Sequence, residues 1–255
     1  YKFVLTTSTG TLVATWDNIT GVSNEDTDVY NVTDYGLVGD GVTDNYAAFA
    51  SFAAIINAAT KGTVYFPPGD YYIGQIKGVN GATDIQWTNL NGVKFTGPGA
   101  KISIKGDFQR DGTKNPISPF KMTTCQYVEW DGLEIDGNND QMTLAGGITE
   151  SGAFALINMA GCTDCVVVNC YLHHAASDGI KIQASGNTSS RRVSAYKSRC
   201  ISNGREGLSI TGLYEGLFID CDFSQTGFTN AAGTAVGSYP GHSPKSGVDV
   251  EPGSG

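Results

Sequence analysis

The stretch Asp178-Gly-Ile-Lys-Ile182 recurs twice in this 255-residue chain. It returns 28 residues later as Glu206-Gly-Leu-Ser-Ile210, and again as Ser246-Gly-Val-Asp-Val250. A fainter copy, Gly152-Ala-Phe-Ala-Leu156, lies one repeat earlier. Repeats of roughly 20 to 30 residues that contain only strand and turn patterns are typical of solenoids. The repeat therefore predicts a parallel β-solenoid, an all-β fold in which each coil stacks on the previous one.

The segments around these copies extend the same pattern. The third copy comes late because residues 224–245 form a Gly/Ser/Pro-rich insertion, which is long enough to make a loop over a groove. Short apolar clusters of strand length recur along the chain after residue 62. We expect strands at 63–66, 71–73, 93–95, 102–104, 127–130, 133–135, 154–157, 166–168, 180–182, 208–210, 217–219 and 248–250.

One helix is expected before the coils. Phe49, Phe52, Ile55 and Ile56 follow one another at helical spacing, which predicts a helix over 46–59. Asp44 can cap its N-terminus, and Lys61-Gly62 supplies a stop signal. Because the first coil of a solenoid leaves an apolar end uncovered, we expect this helix to cover it.

The chain divides into two parts. Residues 1–30 hold a weakly alternating segment and then a polar, turn-rich stretch, which indicates an entry segment or linker. Residues 31–255 form the solenoid domain. The chain starts without Met in a strand pattern and stops just after another, so we expect the domain to continue beyond residue 255.

Composition excludes several classes of partner. The formal net charge of −9 argues against nucleic acid, because phosphate binding needs a basic face. No run of 18 apolar residues occurs, so no membrane span is predicted. Six cysteines are present, and those at Cys170 and Cys221 fit small buried hydrophobic positions. Cys162-Thr-Asp-Cys165 has the spacing of a zinc-binding cysteine pair, but a second such pair is missing, so we predict no metal site. We also predict no cofactor.

The N-terminal part of the coil domain resembles a known family. Asp34-Tyr-Gly-Leu-Val-Gly-Asp-Gly-Val-Thr-Asp44, the helix, and Gly62-Thr-Val-Tyr-Phe-Pro-Pro-Gly-Asp-Tyr-Tyr-Ile73 resemble the signature of pectate-lyase-like right-handed parallel β-helix proteins, especially phage tailspikes and capsule depolymerases. The resemblance implies an extracellular or virion-tail protein, a homotrimer, and a bacterial surface polysaccharide as partner. The paired-aspartate and Gly-His-Gly motifs of polygalacturonase-like hydrolases are not matched, since Ser177-Asp-Gly-Ile180 holds one aspartate.

Two acidic residues are brought together by the repeat. Asp178 and Glu206 occupy equivalent positions, and adjacent coils are about 4.8 Å apart. Paired carboxyl groups suit glycoside cleavage, with separations of roughly 5 Å for retention and roughly 6.5 to 9.5 Å for inversion. An acidic residue before Gly also caps turns, which is an equally good explanation. Asp249 is the third catalytic candidate, because alternation turns it outward beside Lys181 and Ser209.

Basic residues and histidines complete the candidate site. Six of the 16 basic residues lie between residues 181 and 205, where Asp is absent, and Arg matches carboxylates bidentately. This cluster suits an acidic sugar. His173 and His174 could transfer protons near neutral pH, although a histidine in a surface turn is commoner. The predicted substrate-binding residues are Lys181, Arg199, Arg205, His173, His174 and Glu251.

Three functions remain open from the sequence. The first is a tailspike-type depolymerase that hydrolyses glycosidic bonds with Asp178 and Glu206 or Asp249. The second is a lyase or epimerase that acts on uronates with a Lys, Arg or His as base. The third is a spike that binds glycan without cutting it, since one scaffold hosts many functions.

Overall fold

The computed structural model of the protein describes residues 28–111, 113–144, 154–227 and 246–251, and the backbone of two short strands before residue 28. These residues contain one α-helix, α1 (Tyr46–Ala59), and two 3-10 helices, Val32–Tyr35 and Asn139–Gln141. In chain order the strands are β1 (Phe3–Thr6), β2 (Leu12–Trp16), β3 (Val29–Asn31), β4 (Gly62–Tyr65), β5 (Gly69–Ile73), β6 (Gln86–Thr88), β7 (Val93–Thr96), β8 (Ala100–Ile104), β9 (Gln109–Arg110), β10 (Phe120–Thr123), β11 (Glu129–Asp131), β12 (Glu134–Asp136), β13 (Thr143–Leu144), β14 (Ala155–Ala160), β15 (Val166–Val168), β16 (Tyr171–His173), β17 (Asp178–Gln183), β18 (Ser190–Tyr196), β19 (Arg199–Ile201), β20 (Glu206–Ile210), β21 (Leu213–Ile219) and β22 (Val248–Val250).

Three parallel sheets run along the domain. Sheet one contains β6, β10, β14, β17, β20 and β22; sheet two contains β3, β4, β7, β11, β15, β18 and β21; sheet three contains β5, β8, β12, β16 and β19. The chain passes through sheets one, two and three in turn, and each such pass is one coil. The fold is therefore a parallel β-helix, as the repeat predicted. In β17 and β20, Asp178 pairs with Glu206 and Ile180 with Leu208, which is the register of the 28-residue repeat.

The interior of the coils is filled by stacked apolar side chains. In the early coils the interior is aromatic: Trp87 stacks on Phe120 at 5.8 Å and Phe95 on Trp130 at 5.9 Å between ring centroids. The later coils use smaller residues such as Val167, Ile180 and Cys200. All six cysteines are free thiols, and five of them are buried. This confirms the prediction of a small buried residue for Cys170, whereas Cys221 is only half-buried.

Helix α1 covers the aromatic end of this interior. Its bounds match the prediction, and Phe49 packs edge-on against Phe66, Trp87 and Phe120. Asn45 is the N-cap residue, whereas Asp44 accepts the backbone N–H of Tyr46 and also that of Gly74. The C-terminal cap is Thr60, which directly precedes the predicted stop signal Lys61-Gly62. The helix ends because Thr60 adopts the left-handed conformation, and its N–H bonds Ile56 O.

The glycine in each repeat copy is required by close approach of the backbone. A Cβ on Gly179 would lie 2.8 Å from Gly207 O and 2.9 Å from Cys200 Cβ. A Cβ on Gly207 would lie 2.7 Å from Cys200 O, and one on Gly247 would lie 2.1 Å from Phe223 O. The chain therefore enters sheet one so close to sheet three that a side chain has no room.

Other predictions are corrected in detail. The strand predicted at 127–130 is Glu129–Asp131, because Tyr127 has a positive φ of 52° and forms a turn. In the predicted entry segment, β1 and β2 pair as an antiparallel hairpin. Most of the polar stretch after it, and residues 228–245 of the insertion, lie outside the described residues. In the part of the chain that the structure describes, no helix has the length and apolarity to cross a membrane.

Candidate active site on sheet one

The two predicted carboxyl groups lie next to each other. Asp178 begins β17, Glu206 begins β20, and the two residues are direct partners across adjacent coils of sheet one. Both are fully buried, with 0% of each residue exposed. In the preceding coil the equivalent position is Ala155, so the acidic pair is confined to these two coils.

Arg205 joins the two carboxyl groups. Its Nε and Nη2 donate to Oδ1 and Oδ2 of Asp178, both at 2.8 Å, in a bidentate pair. Nη2 also lies 3.4 Å from Oε2 of Glu206. Since Nη2 lies 2.8 Å from Asp178 Oδ2 and 3.4 Å from Glu206 Oε2, these two carboxyl oxygens are at most 6.2 Å apart. Arg205 precedes Glu206 directly in the turn between sheets three and one, which is why its side chain reaches both partners.

The cluster lies on the outward side of sheet one. Arg205 Nη2 is 3.3 Å from Ser209 Oγ, and Ser209 alternates with the core residues Leu208 and Ile210. Ser177 Oγ donates to Asp178 Oδ1 at 3.1 Å. The side chains therefore do not fill the interior of the coil, although they are enclosed.

The electrostatics distinguish the two carboxyl groups. Burial, and then the neighbouring Asp178 carboxylate, raises the pKa of Glu206 to about 7. Burial also raises the pKa of Asp178, but the ion pair with Arg205 opposes this effect. A buried group of one guanidinium and two carboxyls is neutral when one carboxyl holds a proton, and Arg205 selects Asp178 as the ionised one. Glu206 is therefore the proton carrier of the pair.

An outward polar row continues beside the pair. Lys181, Ser209 and Asp249 are partners in register on β17, β20 and β22, which confirms the predicted alternation. The same row extends through Asn158 and Lys121 on earlier coils. Glu251 is exposed at the end of β22, where its N–H donates to Ile210 O.

The predicted basic cluster is not formed, because its members face different sheets. Arg205 is buried in the carboxyl pair and Lys181 lies in the outward row of sheet one. Arg199 belongs to sheet three, where it lies over the Tyr171 ring and 3.6 Å from Asp222. Arg192, on sheet two, pairs with Asp164. Proximity in sequence did not translate into proximity in space, since a coil turns through three faces within 28 residues.

His173 and His174 are also placed away from the pair. Both are largely buried at the end of β16 in sheet three, where they contact Asp136 and, for His173, Glu134. They are not histidines of a solvated turn. Neither Asp136 nor Glu134 was singled out from the sequence, although both lie in a strand that the repeat places directly beside β16.

Comparison with known proteins agrees with this fold. Residues 29–240 match the family described as "Rhamnogalacturonase A/epimerase, pectate lyase-like". Mannuronan C5-epimerase AlgE2 of Azotobacter vinelandii is 33% identical over 114 residues, which cover 44% of this chain and 11% of the epimerase. Plasmin and fibronectin-binding protein A of Streptococcus pneumoniae is 32% identical over 156 residues, which cover 56% of this chain and 20% of that protein. The chain thus matches a small part of either relative.

Solved structures share the architecture. The A-module of mannuronan C-5 epimerase AlgE4 of Azotobacter vinelandii gives a TM-score of 0.55 at 20% identity, covering 75% of this chain and 50% of that chain. ORF18 of Geobacillus virus E2 gives a TM-score of 0.52 at 17% identity, covering 80% of this chain and 43% of that chain. At these identities the likeness concerns the fold. With the match over residues 29–240 and three parallel sheets wound into coils, the chain belongs to the polysaccharide-active, pectate-lyase-like family of rhamnogalacturonase A and epimerases.

Proposed function

We propose that the protein hydrolyses glycosidic bonds of a bacterial surface polysaccharide at the Asp178–Glu206 pair. The observation that carries the proposal is the arrangement of two adjacent buried carboxyl groups around one guanidinium, with Asp178 in a bidentate pair with Arg205 and the pKa of Glu206 raised to about 7. Pairs of carboxyl groups whose surroundings separate their protonation states are typical of glycoside cleavage. Glu206 would donate its proton to the leaving oxygen, and Asp178 would remain ionised.

The separation of the pair favours a retaining reaction. The upper bound of 6.2 Å between the two carboxyl oxygens is shorter than the roughly 6.5 to 9.5 Å that inversion requires to seat a water molecule. In a retaining reaction Asp178 attacks the anomeric carbon, the glycosidic bond breaks, and the Glu206 proton goes to the leaving oxygen. Water then attacks the anomeric carbon, its proton goes to Glu206, and the bond between the sugar and Asp178 breaks. Both carboxyl groups are buried, so the proposed reaction requires the surrounding side chains to move and admit the sugar ring.

The outward row of sheet one supplies the substrate contacts in this proposal. Lys181 and Asp249 lie beside the pair, and Asn158 and Lys121 extend the polar surface along the helix axis. Equivalent side chains on parallel coils repeat at about 4.8 Å, close to the length of one sugar unit, so a polysaccharide can run along the coils. Lys121 and Lys181 favour an acidic sugar.

The test is substitution of the proton donor with a neutral isostere. Glu206→Gln keeps the size of the side chain but cannot transfer a proton, so release of reducing ends from a cognate capsule should fall by roughly 10²- to 10⁴-fold. Asp164→Asn is the matched control, because Asp164 forms a similar Arg pair on the surface of sheet two and Asn tolerates its positive φ of 54°. Wild-type activity in a folded Glu206→Gln protein would refute the proposal.

A second candidate is a uronate epimerase or lyase. Its support is the family match and the identity with mannuronan C5-epimerases, which ranges from 30% to 35% for AlgE2, AlgE3 and AlgE6. In that case Glu206 would exchange a proton at a sugar carbon. Unsaturated products that absorb in the ultraviolet indicate a lyase, and a change of uronate composition without chain cleavage indicates an epimerase. New reducing ends without unsaturation support hydrolysis.

We further propose that the protein acts outside the cell or on a virion tail as a homotrimer. The support is the resemblance of residues 34–73 to tailspikes and 26% identity over 166 residues with YomE, a prophage-derived protein of Bacillus subtilis. Light scattering coupled to gel filtration checks the trimer directly, and a mass of one chain at micromolar concentration would contradict it.

A further inference from the structure

A second polar cluster lies on the outer side of sheet three. Asp136 ends β12 and His173 ends β16, and the two are direct partners across adjacent coils. His174 follows with a positive φ of 50°, a conformation that Asn138 and Ser202 share at the same corner of neighbouring coils. In a regular strand, consecutive side chains point to opposite faces. The turn at His174 instead brings both imidazoles to the same side.

Three potential metal-binding atoms meet at this corner. The Nδ1 atoms of His173 and His174 are 2.7 Å apart, and each lies 3.5 Å from Asp136 Oδ1. Ligand atoms around a tetrahedral zinc ion with bonds of about 2.0 to 2.1 Å are ~3.3 Å apart. The two 3.5 Å edges of the triangle are close to this spacing, and the 2.7 Å edge between the imidazoles would have to lengthen when an ion binds.

Neighbouring groups orient these donors as they do in metal sites. His173 Nε2 lies 3.2 Å from Glu134 Oε1. With its hydrogen on Nε2, His173 accepts the Nδ1–H of His174 at Nδ1, and a metal ion would replace that hydrogen. A carboxylate on the distal nitrogen of a metal-binding histidine is the usual outer-shell arrangement. Asp136 Oδ1 is held by the N–H of Asn138 at 3.1 Å, and the Tyr171 ring stacks on His173 at 4.2 Å.

We propose that Asp136, His173 and His174 bind a divalent transition metal ion of the zinc type. Two imidazole nitrogens and one carboxylate oxygen suit zinc, cobalt or nickel and do not suit calcium or magnesium, which prefer oxygen ligands. The ion joins β12 to β16 and so links two adjacent coils. This inference is independent of the reaction proposed for sheet one.

The test uses the metal alone. Chelator-treated protein is titrated with CoCl2, and we expect saturable binding of one ion, visible as cobalt d–d absorption without a thiolate charge-transfer band. The missing charge-transfer band distinguishes this site from the cysteines. Zinc should displace cobalt and raise the melting temperature.

Variants assign the ligands. His174→Asn keeps a residue that tolerates the left-handed turn, as Asn138 does, so it should fold while losing cobalt binding. Asp136→Asn should lose it as well, and Glu134→Gln should weaken affinity by roughly 10- to 100-fold. His242→Asn, which changes the third histidine of the chain, is the control and should bind as wild type does. The proposal is overturned if wild type shows no saturable binding, or if folded His174→Asn and Asp136→Asn bind cobalt unchanged.

Discussion

At the scale of single residues, Arg205 decides how the sheet-one cluster behaves. It supplies one positive charge to two buried carboxyl groups, so burial is tolerated only when one of them holds a proton. The bidentate contact with Arg205 favours the negative charge on Asp178. Glu206 holds its proton until the pH approaches its raised pKa of about 7. The reactivity and the stability of the protein are therefore linked through one proton.

Glu206 gives a measurable pH dependence of stability. Because its pKa is raised from 4.5 to about 7 in the folded protein, the unfolded chain releases a proton that the folded protein keeps between these values. The stabilising contribution is complete below pH 4.5 and is lost as the pH rises to 7, at up to ~1.4 kcal/mol per pH unit. Urea denaturation across this range should show the decline in wild type but a flatter profile in Glu206→Gln.

Asp164→Asn serves again as the control for this measurement. Its ion pair with Arg192 lowers the pKa of Asp164, so this carboxyl is ionised throughout the range and its removal should leave the slope unchanged. Equal slopes in wild type and Glu206→Gln would contradict the assignment of the proton to Glu206.

The sequence predicts part of this site. Alignment of the repeat copies was sufficient to place Asp178 beside Glu206, Lys181 beside Ser209, and Ser209 beside Asp249, because register in a parallel coil follows directly from the repeat. It was insufficient for Arg205, Arg199, His173 and His174. Their directions depend on turn conformations such as the positive φ of His174, which alternation does not describe.

At the scale of elements, helix α1 acts through its aromatic face. Phe49 is 1% exposed and meets three aromatic rings of the first coils, whereas Ile55 on the same helix is 43% exposed. Phe49→Ala should lower the free energy of unfolding by about 3 to 5 kcal/mol, while Ile55→Ala should change it by less than about 0.5 kcal/mol. Chemical denaturation measures both, and equal effects would show that the helix does not cover the interior.

The repeat glycines give a second prediction for elements. A methyl group on Gly179 meets backbone and buried atoms at less than 3 Å, so Gly179→Ala should destabilise the protein by at least about 1 to 3 kcal/mol. Gly186→Asn is the contrast, since nothing lies within 4 Å of its Cβ position and Asn tolerates its φ of 58°. A melting temperature unchanged by Gly179→Ala would mean that the backbone at the turn from sheet three into sheet one can move apart to make room for the methyl group.

At the scale of the whole molecule, the coils differ in how well they are packed. Phe95, Phe120 and Trp130 are fully buried in the early coils. Strands β21 and β22 instead expose Tyr214, Leu217 and Val250 by 59%, 50% and 68%. Since a solenoid is stabilised by contacts between neighbouring coils, strands with exposed apolar side chains open before fully packed ones. Hydrogen exchange should therefore be fastest in peptides covering β21 and β22 and slowest in those covering β10 to β12; uniform exchange would contradict this.

The overall architecture was the most predictable level. The repeat and the covering helix both follow from apolar spacing, and the structure confirms them. Strands such as Gln86–Thr88 and Phe120–Thr123 were not predicted, because three or four residues with mixed polarity carry no clear alternation. These segments become strands because they pair with strands of adjacent coils, and that pairing is visible only in the folded structure.

The free thiols carry a practical consequence. Cys125, Cys162 and Cys200 are buried on three successive coils, and burial raises the pKa of the Cys200 thiol well above its usual range. A thiol reagent can therefore modify an interior cysteine only while its own coil is open. The order in which these thiols become alkylated would therefore report the order in which the coils open, with no engineered cysteine.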